Sequence, residues 1–523
     1  MPGSHFSPCG ASPARVLNST PTLPDEPNES RASTPLAFRV VRGGVAVALT
    51  SYFLFAFGFL SNLVLTRLLA PADFGVLALG TFFFALLNLR PKLGIDQAFA
   101  QHAVTDAESS GTFAALSIAS GIASFVLTLI ALPILGALGY SQPVIVVTLA
   151  LAGVGIMDSI MGIAWVQLDK ALLFSRVSLV TAVAFPLAYL PAFYLAFNNG
   201  GYWALLAPNI AYAFLLLIGL WFTARRALPE VWKQRWTFSR ALAAQFLRFG
   251  IFVGLGTIFL TLVYQFDNFL VGTFVNVEAL GYYDRAYRIA QWSYVLVASV
   301  IARTAFYTFT NLQNDAVRLE RAVNMLLWIV TTLTVPVALA IFVAADDLVF
   351  FLFGEKWLPS ALLLKFLIAY SVLRPLLDNA GALFTALGHP RRATILAAIQ
   401  AFALVLAATP LTLQFGAVGT AIGVGIAFVI GLLVAYYFVR RTLPNLSLRD
   451  AFLVPFVAAG ITLVVALFAS SLLNMWQIPK VIELFFKALF TLATFWAITF
   501  LLSPRGTRER AAYVWNLIRQ RVV

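Results

Sequence analysis

Arg225-Arg226-Ala227-Leu228-Pro229 closes one long apolar segment, and Arg440-Arg441-Thr442-Leu443-Pro444 closes another 215 residues later. Gly201 opens the first of these segments and Gly416 the second, again 215 residues apart. Upstream, Leu138-Gly139 and Pro143 answer to Phe353-Gly354 and Pro359, at offsets of 215 and 216. Nearer the start, Asn62 and Gly75 answer to Asn268 and Gly281, both at 206. Such a collinear series describes a duplicated unit of roughly two hundred residues, and repeats of this size made of apolar spans are how many transporters are built.

Composition sets the solvent. Of the 523 residues, 61% are hydrophobic and 11% charged, against about 25% charged in soluble domains. A folded soluble chain could not bury this much apolar surface, so the surrounding medium is lipid. Cys9 is the single cysteine, and His5, His102 and His389 are scattered. The chain therefore has no disulfide framework, no spacing for a metal site and no nucleophile–base motif, and neither a catalytic residue nor a metal ligand is expected.

Residues 1–36 are rich in Pro, Ser, Asn and Thr and read as a disordered cytoplasmic tail without a secretory signal. About fourteen apolar stretches of membrane-spanning length follow. They lie near 43–66, 74–95, 112–136, 143–163, 177–197, 202–222, 250–272, 282–303, 324–345, 360–386, 393–413, 417–438, 451–472 and 481–502. The expected fold is an all-α integral membrane protein. Residues 37–240 form a first six-helix lobe and 241–445 a second. Residues 446–503 add two helices, and 504–523 form an amphipathic cytoplasmic tail. Six is even, so both lobes enter the membrane in the same sense, related by a pseudo-two-fold axis along the membrane normal.

Charge orients the bundle. Of the 35 Lys and Arg residues, 27 fall on the side of the N-terminal tail, 5 on the opposite side and 3 inside spans. This positive-inside bias places both termini in the cytoplasm. The net charge of +13 thus reflects topology and anionic lipid heads. The basic residues are spread over many short loops rather than one face, so no nucleic-acid partner is expected.

Charges inside apolar spans are the candidate functional residues, because placing one at the bilayer centre costs roughly 2.5–3.5 kcal/mol on insertion scales. Asp158 and Asp267 are mid-span. Arg374 and Asp378 are four apart on one helical face and can pair. Arg374 also lies 216 residues after Asp158, suggesting an acid and a base at matching places in the two lobes. Asp284, Arg285, Arg288 and Gln291, continued by Ser299 and Arg303, form a stripe that should face water. Arg90, Lys92 and Asp96 cluster at the inner end of the second span. Snorkelling to the head groups is the simpler account of Lys92 and Arg303. The longest internal loop, about 223–249, is too short and too basic for a catalytic domain.

Several stretches are similar to landmarks of the polysaccharide-biosynthesis flippases, the Wzx-type branch of the MOP exporter superfamily. They are Leu68-Leu69-Ala70-Pro71-Ala72-Asp73-Phe74-Gly75, Leu270-Val271-Gly272 with Ala279-Leu280-Gly281-Tyr282-Tyr283, and Arg285-Ala286-Tyr287-Arg288. Phe353-Gly354-Glu355-Lys356-Trp357 and Leu387-Gly388-His389-Pro390 complete the set. The resemblance covers roughly residues 36–500; the N-terminal tail is not part of the family pattern. It implies a bacterial inner-membrane transporter, not an enzyme, with MATE-like lobes around a cavity that opens alternately to each side. The substrate would be an undecaprenyl-pyrophosphate-linked glycan for exopolysaccharide, capsule or O-antigen. Arg285, Arg288 and Arg374 would contact the anion, and Asp158, Asp267 and Asp378 would tune the field or carry coupling protons. No cofactor is expected beyond proton or sodium coupling. Partners would be membrane lipids, the polymerase and other polysaccharide assembly proteins. Two alternatives are a multidrug cation antiporter of the same superfamily and a non-transporting structural subunit of an assembly complex.

The charge bias predicts that Asn199 faces the periplasm and Arg226 the cytoplasm. In a Cys9→Ser background, a cysteine at position 199 should react with a membrane-impermeant maleimide in cells whose outer membrane admits the reagent. One at position 226 should not. The reverse labelling would overturn the orientation.

Overall fold

The structure is a computed structural model that describes residues 36–102, 105–292, 294, 305, 308–444, 446, 448–475, 478–504, 506, 508–510 and 512. Residues 1–35, Ser299, Arg303 and most of the stretch after 504 lie outside the described residues.

The first lobe contains α1 (Leu36–Leu68), α2 (Pro71–Leu87), the short α3 (Ile95–Gln101), α4 (Ala107–Ala137), α5 (Gln142–Lys170), α6 (Phe174–Phe197) and α7 (Tyr202–Ala227). A single turn, α8 (Pro229–Trp232), leads to the second lobe. That lobe contains α9 (Arg240–Phe274), α10 (Val277–Ala290), α11 (Ala316–Val343), α12 (Ala345–Phe353), α13 (Pro359–Ala386) and α14 (Pro390–Thr442). The added pair is α15 (Leu448–Asn474) and α16 (Lys480–Leu502).

Twelve helices among the described residues are long and apolar enough to cross a membrane. The expected fourteen spans differ from these at two places. The spans 393–413 and 417–438 run together in α14, which breaks at Gly416 (φ 60°, ψ −141°). The span 282–303 begins in α10, and its later part falls largely outside the described residues. The second span is not one helix. It ends at Leu87, and Pro91 and the left-handed Gly94 set a 3-10 turn before α3. Lys92 Nζ donates to the carbonyls of Ala85 and Leu86, satisfying acceptors that the break would orphan.

The repeat is written into the backbone. Gly201 (φ 53°, ψ −135°) and Gly416 take the same conformation, and Gly139 (φ 85°) and Gly354 (φ 92°) share a positive φ. The Arg-Arg pairs lie in the last turns of α7 and α14, and the Leu that follows each pair caps its helix. Packing repeats too. In the first lobe α2 lies on α5 and α1 on α6, while in the second α10 lies on α13 and α9 on α14.

The lobes meet where α2 crosses α10. A Cβ added to Gly75 would lie 1.6 Å from the Val277 carbonyl oxygen, and one added to Gly281 would lie 1.9 Å from that of Pro71. Pro71 and Val277 are themselves 206 residues apart, like the two glycines. Each half thus offers the other the same surface, which is what a two-fold relation requires. Both glycines sit near the start of their helices, so the axis runs along the bundle.

The far end of the bundle, where α1 finishes, is sealed by hydrogen bonds between lobes. Arg67 donates to the Leu352 carbonyl at 2.9 Å and also to that of Phe351. Lys356 Nζ donates to the carbonyls of Arg67 (2.8 Å) and Leu69 (2.7 Å). Trp357 Nε1 donates to the Thr66 carbonyl at 2.9 Å, and its ring packs edge-on against Phe74. Burial pulls the Lys356 ammonium below the ordinary lysine range, and the Asp73 carboxylate opposes that shift. At the near end, where α1 begins, the Pro91–Leu93 turn lies on α9, with Gly250 and Gly254 facing its carbonyls. The added pair packs on α11 and α12, where the buried Lys487 bridges Asp347 (2.7 Å) and Glu483.

Gly281→Ala should lower the melting temperature of purified protein, by roughly 1–3 kcal/mol of stability, because the new methyl meets backbone that cannot swing away. Gly381→Ala, whose added Cβ meets nothing within 4 Å, should be neutral or slightly stabilising. Equal melting curves for the two would contradict the crossing.

Candidate functional site

Just beneath the far-end seal, α1, α6 and α10 enclose a cavity of about 300 Å³. Its walls follow from helix spacing. On α1, Phe55, Phe59 and Asn62 recur at helical intervals and turn one face inward. Gly58, on the same helix, lets the Phe185 ring approach within 3.3 Å of where a Cβ would be. From α6 come Phe185 and Tyr189, whose rings stack edge-on at 5.2 Å. Arg285, Arg288 and Ile289 come from α10, with Gln291 and Trp292 following it. The lining is thus aromatic with a cationic edge.

Three charges organise that edge. Asp284 accepts from Arg285 and, at 2.9 Å, from Arg288. Arg285 is buried, with its guanidinium 4.3 Å from the centre of the Phe74 ring. It reaches the first lobe through longer bonds of 3.4 Å to Asn62 Oδ1 and Thr66 Oγ1. Arg288, with its side chain 56% exposed, is the cation open to the cavity. The expected water-facing stripe is therefore narrower in the structure. Asp284 and Arg285 are spent on each other and on the lobe interface, leaving Arg288 and Gln291 accessible.

The counterpart of this contact in the other half is apolar. Leu79 and Gly272 stand 206 residues from Arg285 and Thr66, and Leu79 Cδ1 lies 3.0 Å from where a Gly272 Cβ would be. One architecture thus carries charge in one half and hydrocarbon in the other.

The remaining candidates fall into separate groups. Arg374 and Asp378 belong to α13, 3.8 Å apart. The Arg374 guanidinium lies 4.4 Å from the Tyr264 ring centre and 4.2 Å from that of Tyr294, and it donates to the Tyr370 hydroxyl. Asp267 is 1% exposed and accepts from the Tyr283 hydroxyl at 3.0 Å. It lies within the second lobe rather than on the cavity wall. The Tyr283, Tyr287 and Tyr370 rings connect the two groups, at centroid separations of 6.2 Å and 4.8 Å.

In the first lobe, Arg90 bonds both Asp96 oxygens at 3.0 Å and the Asp158 carbonyl at 2.8 Å. Gly162 on α5 leaves room for the Arg90 guanidinium. Asp158 and Arg374 do occupy corresponding helices, α5 and α13. Each has its charged neighbour inside its own lobe, Arg90 for Asp158 and Asp378 for Arg374. Lys92 serves the broken end of α2.

Sequence reasoning singled out charges, so it passed over the aromatic walls, Tyr189, Trp292 and the Tyr264/Tyr294/Tyr370 surround. Asn62 was visible as a repeat position without its role as a partner of Arg285.

Arg285→Ala should destabilise the protein by roughly 1–3 kcal/mol, since buried acceptors lose their donor. Arg288→Ala, at a solvent-reached site, should change stability by less than about 1 kcal/mol. Thermal melts of the two purified variants check the order, and a larger loss for Arg288→Ala would contradict this division of roles.

Comparison with known proteins agrees with the geometry. A family model described as "Polysaccharide biosynthesis protein" matches residues 64–362. An uncharacterized membrane protein in the cps region of Klebsiella pneumoniae is 23% identical over 456 residues, covering 81% of this chain and 87% of that one. The lipopolysaccharide biosynthesis protein WzxC of Escherichia coli is 23% identical, covering 82% and 87%. The succinoglycan biosynthesis transport protein ExoT of Rhizobium meliloti is 25% identical, covering 58% and 60%. Among solved structures, the lipid II flippase MurJ in an inward closed conformation superposes with a TM-score of 0.69 at 14% identity, covering 87% of this chain and 98% of its own. An inward-facing MATE transporter of the MOP superfamily gives 0.59 at 15% identity, covering 77% and 98%. Those two likenesses establish the fold. With more than half of its length matched by the family model, this multi-pass membrane protein belongs to the polysaccharide biosynthesis protein family.

Proposed function

We propose that the chain is a flippase that carries a polyprenyl-pyrophosphate-linked oligosaccharide across the bacterial inner membrane for exopolysaccharide, capsule or O-antigen synthesis. Both termini lie in the cytoplasm, and no bond of the substrate is made or broken. The observation that carries the reading is the sign of the cavity. Two guanidiniums face one carboxylate there, and the accessible member is Arg288. An anionic head group would complete that balance. A planar guanidinium fork can hold two pyrophosphate oxygens at once. Tyr189, Phe185 and Trp292 offer flat apolar faces against which sugar rings can lie. The cavity borders α1, which bares Leu49, Tyr52, Phe53 and Leu60 outward. A polyprenyl tail can remain in lipid beside that helix while the head group passes.

The relatives named for lipopolysaccharide and succinoglycan biosynthesis support the same reading. A cation antiporter would need surplus acid in the pathway. Here Asp284 is neutralised, and Asp267 lies within the second lobe. Proton or sodium coupling is part of the proposal, with Asp267 and the Arg374–Asp378 pair as its candidates. The polymerase and other assembly proteins are the proposed partners.

A deletion strain should accumulate the lipid-linked repeat unit and lose surface polymer, and wild-type protein should restore export. Arg288→Ala at normal abundance should export at least about tenfold more slowly, the loss expected for one charge-assisted contact. Full export by that variant would remove Arg288 from the pathway. Arg374→Ala should also reduce export. If that protein instead disappears, and the Arg374→Ala/Asp378→Ala protein returns to normal abundance, the pair is structural.

A further inference from the structure

A second cavity lies outside the one just described. Its volume is about 760 Å³, and it sits at the near end of the bundle, on the flank of the second lobe. The start of α11 supplies Arg318, Arg321, Asn324 and Met325, the preceding turn supplies Leu312, and the segment after α16 supplies Arg510. None of its lining residues belongs to the first lobe, and none is shared with the cavity between α1, α6 and α10.

Its chemistry is two-faced. Among the described residues, three guanidiniums and no carboxylate line it, with the polar Thr308 and Asn324 beside them, while Leu312, Ala322, Met325, Leu326 and Ile329 supply an apolar wall. Arg510 lies over the Trp328 ring, 5.4 Å from its centre. Arg318 has one acidic partner, Asp315 at 3.1 Å, on the rim. Helix periodicity explains the layout. Arg318 and Arg321 are three apart, and Met325 and Ile329 continue the same stripe a turn and two turns deeper. Charge is therefore at the mouth and hydrocarbon runs inward along α11. The charge count of the sequence assigns 27 of the 35 Lys and Arg residues to this side, the expected cytoplasmic one.

We propose that this cavity binds an anionic phospholipid of the cytoplasmic leaflet. The phosphodiester sits among Arg318, Arg321 and Arg510, and an acyl chain lies along Met325 and Ile329. A free anion would use the guanidiniums and leave the apolar wall wet. A zwitterionic lipid would satisfy the wall and bring its own cation against three others. An anionic lipid matches both surfaces. Such a lipid would also bridge α11 and the segment after α16, tying the added pair to the second lobe. The site is independent of which substrate the other cavity carries.

Full-length protein in mild detergent can be titrated with phosphatidylglycerol or with phosphatidylcholine and followed by native mass spectrometry. A basic residue near a lipid surface changes affinity by roughly fivefold. Wild-type protein should therefore prefer phosphatidylglycerol on the order of a hundredfold. Arg321→Ala should cut that preference about fivefold, and Arg318→Ala/Arg321→Ala/Arg510→Ala should leave the two lipids nearly equal. Arg391→Ala, in the first turn of α14 at the near end, should leave the preference unchanged. A preference that survives the triple substitution, or one that Arg391→Ala lowers as much as Arg321→Ala does, would overturn the proposal. Displacement of phosphatidylglycerol by equimolar inorganic phosphate would also overturn it, showing a free-anion site.

Discussion

Backbone lies on backbone where α2 crosses α10, and everything else in the bundle is arranged around that contact. Gly75 and Gly281 have no side chain because each faces a carbonyl of the other lobe. The close approach brings neighbouring residues of both lobes into one seam. Phe74 then meets the Trp357 ring and the Arg285 guanidinium. Asp73 holds the first turn of α2 by accepting from the Ala70 amide at 3.0 Å. Lys356 and Trp357 reach across to carbonyls of the first lobe. A larger residue at either glycine would part the lobes and undo these bonds together.

The duplicated frame carries a pair of equivalent contacts that differ in charge. A two-fold pair of lobes with identical side chains would repeat one contact in both halves. Instead, the site that holds Arg285 against Thr66 in one half holds Leu79 against Gly272 in the other. The backbone correspondence persists at Gly201 and Gly416, while the side chains at this contact have diverged.

Much of this was legible beforehand. The offset of 206 picked out Gly75 and Gly281, and the structure shows them to be symmetry mates in contact. The resemblance motifs were also real signals, since Asp73, Phe74, Lys356 and Trp357 all belong to the seam. Other features were not legible. A charge in a span looks the same whether it faces water, as Arg288 does, or is buried at a lobe interface, as Arg285 is. Burial depends on long-range partners such as Asn62, 223 residues away. Nor could the sequence show that Asp267 is buried and accepts from the Tyr283 hydroxyl, 16 residues on. The break after Leu87 depends on Lys92 folding back onto carbonyls, which no periodicity reveals. Aromatic walls are invisible to a search for charge, because Phe and Tyr are common wherever helices meet lipid.

The account rests on the cavity reading a negative head group, and flipping in reconstituted vesicles tests that most directly. Purified protein in liposomes would be given one oligosaccharide on two carriers, a polyprenyl pyrophosphate and an uncharged polyprenyl. An added lectin would report arrival of each glycan at the outer face. The pyrophosphate-linked glycan should cross many times faster than in protein-free vesicles, and the uncharged one should barely exceed that background. Equal rates for the two carriers, or no acceleration of either, would contradict the account.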